Sequence, residues 1–99
     1  MLMYEIEYTP EAIEDLKLFR RYEQQSIFDQ IGEQLLYEPT IETRNRKKLR
    51  PNNVAEYELR VGKFRVFYDV DEPAKIVKVE AIGYKEGSRL LIHGKEYEL

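Results

Sequence analysis

A chain of 99 residues, 42% apolar and 35% charged with a net charge of −3, has the make-up of one globular domain with a single modest core. The absence of cysteine excludes a disulfide framework and thiolate metal sites such as zinc ribbons and knuckles. No apolar run approaches the roughly 18–20 residues of a membrane span. The opening Met1-Leu2-Met3-Tyr4-Glu5 lacks the basic start and apolar stretch of a leader, so a cytoplasmic location is expected.

In chain order, Tyr4, Ile6 and Tyr8 alternate with Glu5 and Glu7, the pattern of a short half-buried strand. Thr9-Pro10 then starts a helix. A hydroxyl stands at the N-cap, a proline fills the first helical position, and Glu11, Glu14 and Asp15 lie near the positive helix end. Ile13, Leu16 and Phe19 form its apolar stripe, and the spacing predicts that it runs to about Arg21. Ile27, Phe28, Ile31, Leu35 and Leu36 mark a second amphipathic helix, which ends before Pro39 because proline disfavours a helical Glu38. Residues 39–53 have no period and are predicted to form a basic loop with Arg44, Arg46, Lys47, Lys48 and Arg50.

Three strand patterns follow. Tyr57, Leu59 and Val61 alternate with Glu56, Glu58 and Arg60, and Phe64, Val66, Tyr68 and Val70 alternate with Arg65, Phe67 and Asp69. After Asp71-Glu72-Pro73, Ile76 to Ile82 forms a third strand, with Val77, Val79 and Ala81 expected on one side and Lys78 and Glu80 on the other. The tail from Leu90 to Leu99 suggests a short hairpin around His93-Gly94. The predicted architecture is α+β, one domain over residues 1–99 in the order β-α-α-β-β-β plus a tail, with a helix pair packed on one face of a small antiparallel sheet.

Only Gly62 and Lys63 separate Val61 from Phe64, and a two-residue loop with glycine first predicts a type II′ turn. The register follows from the turn. Tyr57, Leu59 and Val61 face Tyr68, Val66 and Phe64 on the core side, while Arg60 lies across from Arg65 and Glu58 across from Phe67 on the other. Like charges directly opposite weaken a sheet by a few tenths of a kcal/mol up to about 1. Two readings account for the pair: Glu58 neutralises Arg65 diagonally on a solvated face, or the two guanidinium groups converge on an anion such as a phosphate. Phe67 is expected to be exposed beside them and able to stack on a base.

Charge is unevenly distributed. Residues 1–40 hold 3 basic and 9 acidic side chains, a net of −6, while residues 41–70 hold 8 basic and 4 acidic, a net of +4. A basic island in an acidic chain favours local contact with a polyanion over global attraction. No phosphate-binding glycine loop, dinucleotide motif or Ser/His/Asp set is present, and the carboxylates of the first helix are not spaced against any histidine, so no metal or cofactor is expected.

The run Glu56-Tyr57-Glu58-Leu59-Arg60-Val61-Gly62-Lys63-Phe64-Arg65-Val66-Phe67-Tyr68 resembles the RelE/ParE superfamily of bacterial toxins. Leu49-Arg50 before it, Ala81-Ile82-Gly83 after it and the opening Tyr8-Thr9-Pro10-Glu11-Ala12 fit as well, so the likeness covers most of residues 4–85. The resemblance implies the toxin half of a type II toxin–antitoxin pair, with a small antitoxin as partner. RelE-like members are metal-independent endoribonucleases that cut mRNA on the ribosome, whereas ParE-like members share the fold and poison DNA gyrase.

Carried over by position, Arg65 matches the phosphate-clamping arginine of the hairpin and Arg60 a basic residue on its first strand. Glu58 stands where the RelE branch has lysine; a glutamate there either serves as the base, as in some relatives, or removes the activity. Lys85 replaces a catalytic arginine. Leu91 stands at the tyrosine position, with Tyr84 and His93 nearby to replace it; His93 is the sole histidine and suits acid–base work. The expected catalytic set is therefore Arg65, Arg60, Glu58, Lys85 and His93, with Arg44, Arg46, Lys47, Lys48, Arg50 and Phe67 on RNA. The expected activity is ribosome-dependent mRNA cleavage; the alternative is a gyrase inhibitor or a degenerate toxin that only binds its antitoxin.

Overall fold

In the computed structural model, which describes residues 2–99, two helices pack on one face of a seven-stranded sheet. The elements are β1 (Glu5–Tyr8), α1 (Pro10–Lys17), α2 (Arg21–Leu35), β2 (Arg46–Lys48), β3 (Tyr57–Val61), β4 (Phe64–Asp71), β5 (Ile76–Glu86), β6 (Arg89–Ile92) and β7 (Lys95–Tyr97). Strands β2 to β7 lie side by side in sequence order and antiparallel, while β1 pairs parallel with the first half of β5. The α+β expectation holds.

Thr9 caps α1 by accepting the Ala12 N–H at 3.1 Å, and Pro10 opens the helix. The helix ends at Lys17, earlier than its periodicity suggests, and α2 starts at Arg21. The reason is local and tertiary together. Glu23 accepts the Arg20 N–H at 3.0 Å, which starts a new helix, and the break turns Phe19 inward against Phe64, with ring centroids 4.7 Å apart. The stretch read as a basic loop holds strand β2, whose Lys47 lies opposite Glu58.

The hairpin register is the predicted one, with Val61 opposite Phe64, Arg60 opposite Arg65 and Glu58 opposite Phe67. Of the two turn residues only Gly62 has a positive φ, 57°, as a type II′ turn requires. The tail forms β6 and β7, joined by His93 and Gly94 at φ 54° and 76°, the signature of a type I′ turn.

One irregularity rearranges β5. Phe67 pairs with Ala81 and Tyr68 with Val79, so Glu80 is the extra residue of a β-bulge. The bulge reverses the alternation beyond it. Val77 and Val79 join the helix-side core with Leu59, Val66, Tyr68, Ile27, Ile31 and Leu35, but Ala81, expected beside them, faces the opposite side. There it packs with Ala55, Phe67, Leu90 and Ile92, with Leu49, Val54, Tyr97 and Leu99 around them. Phe67, expected to be exposed, is fully buried in this second cluster. The tail and the 49–55 segment cover a face that a six-element reading leaves open.

Candidate functional site

The second face is only partly apolar. Beside its cluster lies a cleft of about 310 Å³ lined by Lys47, Glu58, Arg60, Arg65, Lys85 and Tyr97, with Leu49, Leu90, Glu98 and Leu99 closing its walls. Strand geometry explains the gathering. Glu58 and Arg60 are two apart on β3, Lys47 pairs with Glu58 from β2, and Arg65 pairs with Arg60 from β4. Lys85 joins them because of the bulge. With unbroken alternation from Val77 it would lie on the helix side; the extra residue at Glu80 turns it to the Arg65 side.

The like-charged pair Arg60 and Arg65 is resolved by dividing their roles. Arg60 stays exposed. Arg65 is buried and folds back on the hairpin, where its Nη1 donates to the Gly62 carbonyl at 2.7 Å and the Phe64 carbonyl at 2.8 Å. Its Nε lies 3.6 Å from Glu58 Oε1, and Lys47 Nζ lies 3.6 Å from Glu58 Oε2. Glu58 is thus a nearly buried carboxylate between two cations. Burial lowers the Arg65 pKa and the neighbouring Arg60 charge adds to this, while Glu58 opposes it.

The expected basic surface is split. Arg44, Lys47, Lys48 and Arg50 are exposed. Arg46 is not: it is 9% exposed, its Nε donates to the Ile41 carbonyl at 3.0 Å and its Nη1 to the Gln34 carbonyl. It ties the end of α2 to β2, since a buried guanidinium must be hydrogen-bonded. Expectations of RNA contact for Arg46 and of base stacking for Phe67 therefore meet side chains already committed to the interior.

His93 lies outside the Arg65 cleft, in a second shallow cleft with Glu11, Asn53, Glu80, Ile92 and Tyr97. Its Nδ1 is 2.6 Å from Asp15 Oδ1, and Asp15 Oδ2 accepts the Ile82 N–H at 2.9 Å. Burial pushes the Asp15 carboxyl up, against the lowering pull of that N–H and of His93. Glu80 in the same cleft is pushed up to about 7, first by burial and then by its hydrogen bond to Asp69 and the charge there. Among the described residues, no three His, Cys, Asp or Glu side chains are placed to hold a metal ion.

Tyr97 is the residue that sequence reasoning missed. It lines both clefts, and it reaches them because the β6–β7 turn folds it back opposite Leu90. Its signal was the His93-Gly94 turn, which sets that pairing, but its face could be read only from the packing.

A helix pair on this largely antiparallel sheet, with a basic hairpin cleft on the reverse face, defines a small fold of the RelE/ParE class. A sequence profile of the ParE toxin of type II toxin–antitoxin systems, parDE, matches residues 6–88, and the chain belongs to that family. The fold is similar to a chain of the toxin–antitoxin complex RelBE2 from Mycobacterium tuberculosis, with TM-score 0.71 and 21% identity over 85% of this chain and 100% of that one. It is also similar to a chain of the archaeal RelE–RelB complex from Pyrococcus horikoshii OT3, with TM-score 0.58 and 21% identity over 77% and 88% of the two chains. No curated protein matches the sequence. Among the described residues, no helix is long and apolar enough to cross a membrane.

Proposed function

We propose that this toxin is a metal-independent, ribosome-dependent mRNA endonuclease working through the Arg65 cleft. The supporting observation is the convergence of Glu58, Arg60, Arg65, Lys85 and Tyr97 on one cleft. Cleavage without a metal needs a base for the ribose 2′-hydroxyl, cations for the charge that develops on phosphorus-bound oxygens, and an acid for the leaving 5′-oxygen. Glu58, between Arg65 and Lys47, takes the 2′-hydroxyl proton. Arg60 and Lys85 hold the non-bridging oxygens as the 2′-oxygen bonds to phosphorus. Tyr97 gives its phenol proton to the 5′-oxygen as that bond breaks, leaving a 2′,3′-cyclic phosphate. Exposed Arg44, Lys48 and Arg50 follow the RNA backbone on the ribosome.

The partner in this reading is a small cognate antitoxin, as the two similar solved structures are toxin–antitoxin complexes. Regulated expression in bacteria should arrest growth and create new 5′ ends in translated messages, and co-expression of the antitoxin should reverse both. Unimpaired growth with no new 5′ ends would sink the nuclease reading. Arg60→Gln and Lys85→Gln are the informative variants. Neither side chain is fully buried, so each should abolish cleavage while changing stability within about 0.5 kcal/mol. Arg65→Ala is less clean, because it also strips the Gly62 and Phe64 carbonyls of a donor.

That same tethering of Arg65 favours a second reading, a gyrase inhibitor or a toxin that only binds its antitoxin. A DNA gyrase supercoiling assay separates the two: inhibition by the purified protein, with messages intact, would select the second.

A further inference from the structure

Two local costs meet at one contact in this fold. Asp15 is a carboxylate only 2% exposed, and His93 holds a positive φ of 54°, a conformation uncommon outside glycine although His, Asn and Asp adopt it more often than other side chains. A type I′ turn by itself favours Asn-Gly or Gly-Gly at these positions and tolerates histidine without preferring it. The Ile82 N–H does not account for a carboxylate, since a neutral oxygen would satisfy it. What the pair does together is join the tip of the β6–β7 hairpin to α1.

The hairpin so pinned is a strap across the sheet. Strand β6 is held to β5 over Tyr84 to Glu86, whereas β7 has β6 as its strand neighbour and a free outer edge. Its residues Leu90 and Tyr97, with Glu98 and Leu99 beyond, wall the cleft that contains Arg65. The strap also presses directly on the sheet at Gly83, the cross-strand partner of Arg65. A Cβ there would lie 2.5 Å from the Leu91 carbonyl oxygen and 2.8 Å from Ile92 Cγ1. Arg65 lines the same cleft as these strap residues and is only 8% exposed.

We infer that Asp15 and His93 are positioning residues: their hydrogen bond latches the β6–β7 strap shut over Arg65, and release of the latch uncovers that guanidinium for an anionic ligand. His93 thereby acts on the cleft through the strap and touches no substrate. The inference rests on the reading of the Arg65 cleft as the working site, but its test needs neither RNA nor activity.

The variant is His93→Gly, because glycine takes a left-handed turn conformation without strain, so the turn is kept and the latch alone is lost. The probe is phenylglyoxal, an arginine-selective dicarbonyl, with labelling read at each arginine by peptide mass spectrometry. Arg60 serves as the exposed control and Arg46, buried against two carbonyls, as the control for general loosening. In His93→Gly, Arg65 should be labelled several-fold faster while Arg60 and Arg46 are unchanged. Amide hydrogen exchange should quicken over Lys95 to Tyr97 and stay slow over Val66 to Tyr68. Equal Arg65 labelling in the two proteins would overturn the latch, as would a rise at Arg46 in parallel with Arg65. A protein that shows no nuclease activity at all leaves this result intact, so the two readings fail separately.

Discussion

On the helix side of the sheet, Leu59, Val66, Tyr68, Val77 and Val79 meet Ile27, Ile31 and Leu35 in a continuous apolar layer. On the reverse side, Phe67, Ala81, Leu90 and Ile92 form a smaller cluster directly beside Glu58, Arg65 and Lys85. Two helices can seal a face completely. A three-residue edge strand and a tail cannot, so the reverse face keeps ionic groups in partial burial. There their interactions are stronger than in water, and their removal costs more. A sheet with one sealed and one half-sealed face has a place for stability and a place for chemistry.

The largest effect that tests this contrast is at Phe67. If the reverse face is a true second core, Phe67→Ala should cost about 3–5 kcal/mol in urea denaturation, comparable to about 2–5 kcal/mol for Ile31→Ala on the helix side. A change within about 0.5 kcal/mol, the range of an exposed position, would return Phe67 to the role of a surface aromatic. Next in size is Gly83→Ala, which must displace the Leu91 carbonyl or the Ile92 side chain and should cost about 1–3 kcal/mol. Its heteronuclear NMR shifts should concentrate in β6 and β7, leaving α1 and α2 in place.

The smallest effect is a pH dependence from Glu80. Its folded pKa, about 7, is raised above the ordinary glutamate value, so the folded state binds a proton more tightly than the unfolded chain does. The resulting stability is fully present below about pH 4, near the unfolded glutamate pKa, and is lost as pH rises through about 7. Glu80→Gln should flatten that slope. The measurement is the urea midpoint of both proteins between pH 5 and 8, where an unaltered difference across the range would remove Glu80 from the account.

Much of the helix side was legible in the sequence, because its elements carry local signals. Thr9-Pro10 starts α1 and Gly62-Lys63 sets the register of β3 and β4, while on the reverse side His93-Gly94 marks the tail hairpin. The end of α1 was not legible, since inward packing of Phe19 and the Glu23 bond to Arg20 compete with continued periodicity. The site was half legible. Glu58, Arg60 and Arg65 follow from the hairpin alone, while Lys47 as the Glu58 partner and Tyr97 as a cleft wall depend on strands brought from distant parts of the chain. Arg46 shows the limit plainly. In a run of five basic residues nothing local distinguishes the one whose guanidinium is claimed by the carbonyls of Ile41 and Gln34.

By itself, then, the sequence determined the pairing of Arg60 with Arg65, because a two-residue turn leaves no freedom in register. Tertiary structure decided what that pair became. The Glu80 bulge in the β4–β5 pairing brought Lys85 to the same side, and Arg65 became buried against the hairpin in the cleft that the tail walls, while Arg60 stayed in water. Register is a short-range property of backbone hydrogen bonds. Exposure depends on which distant segment comes to lie on top, and no local pattern in residues 56–70 records that.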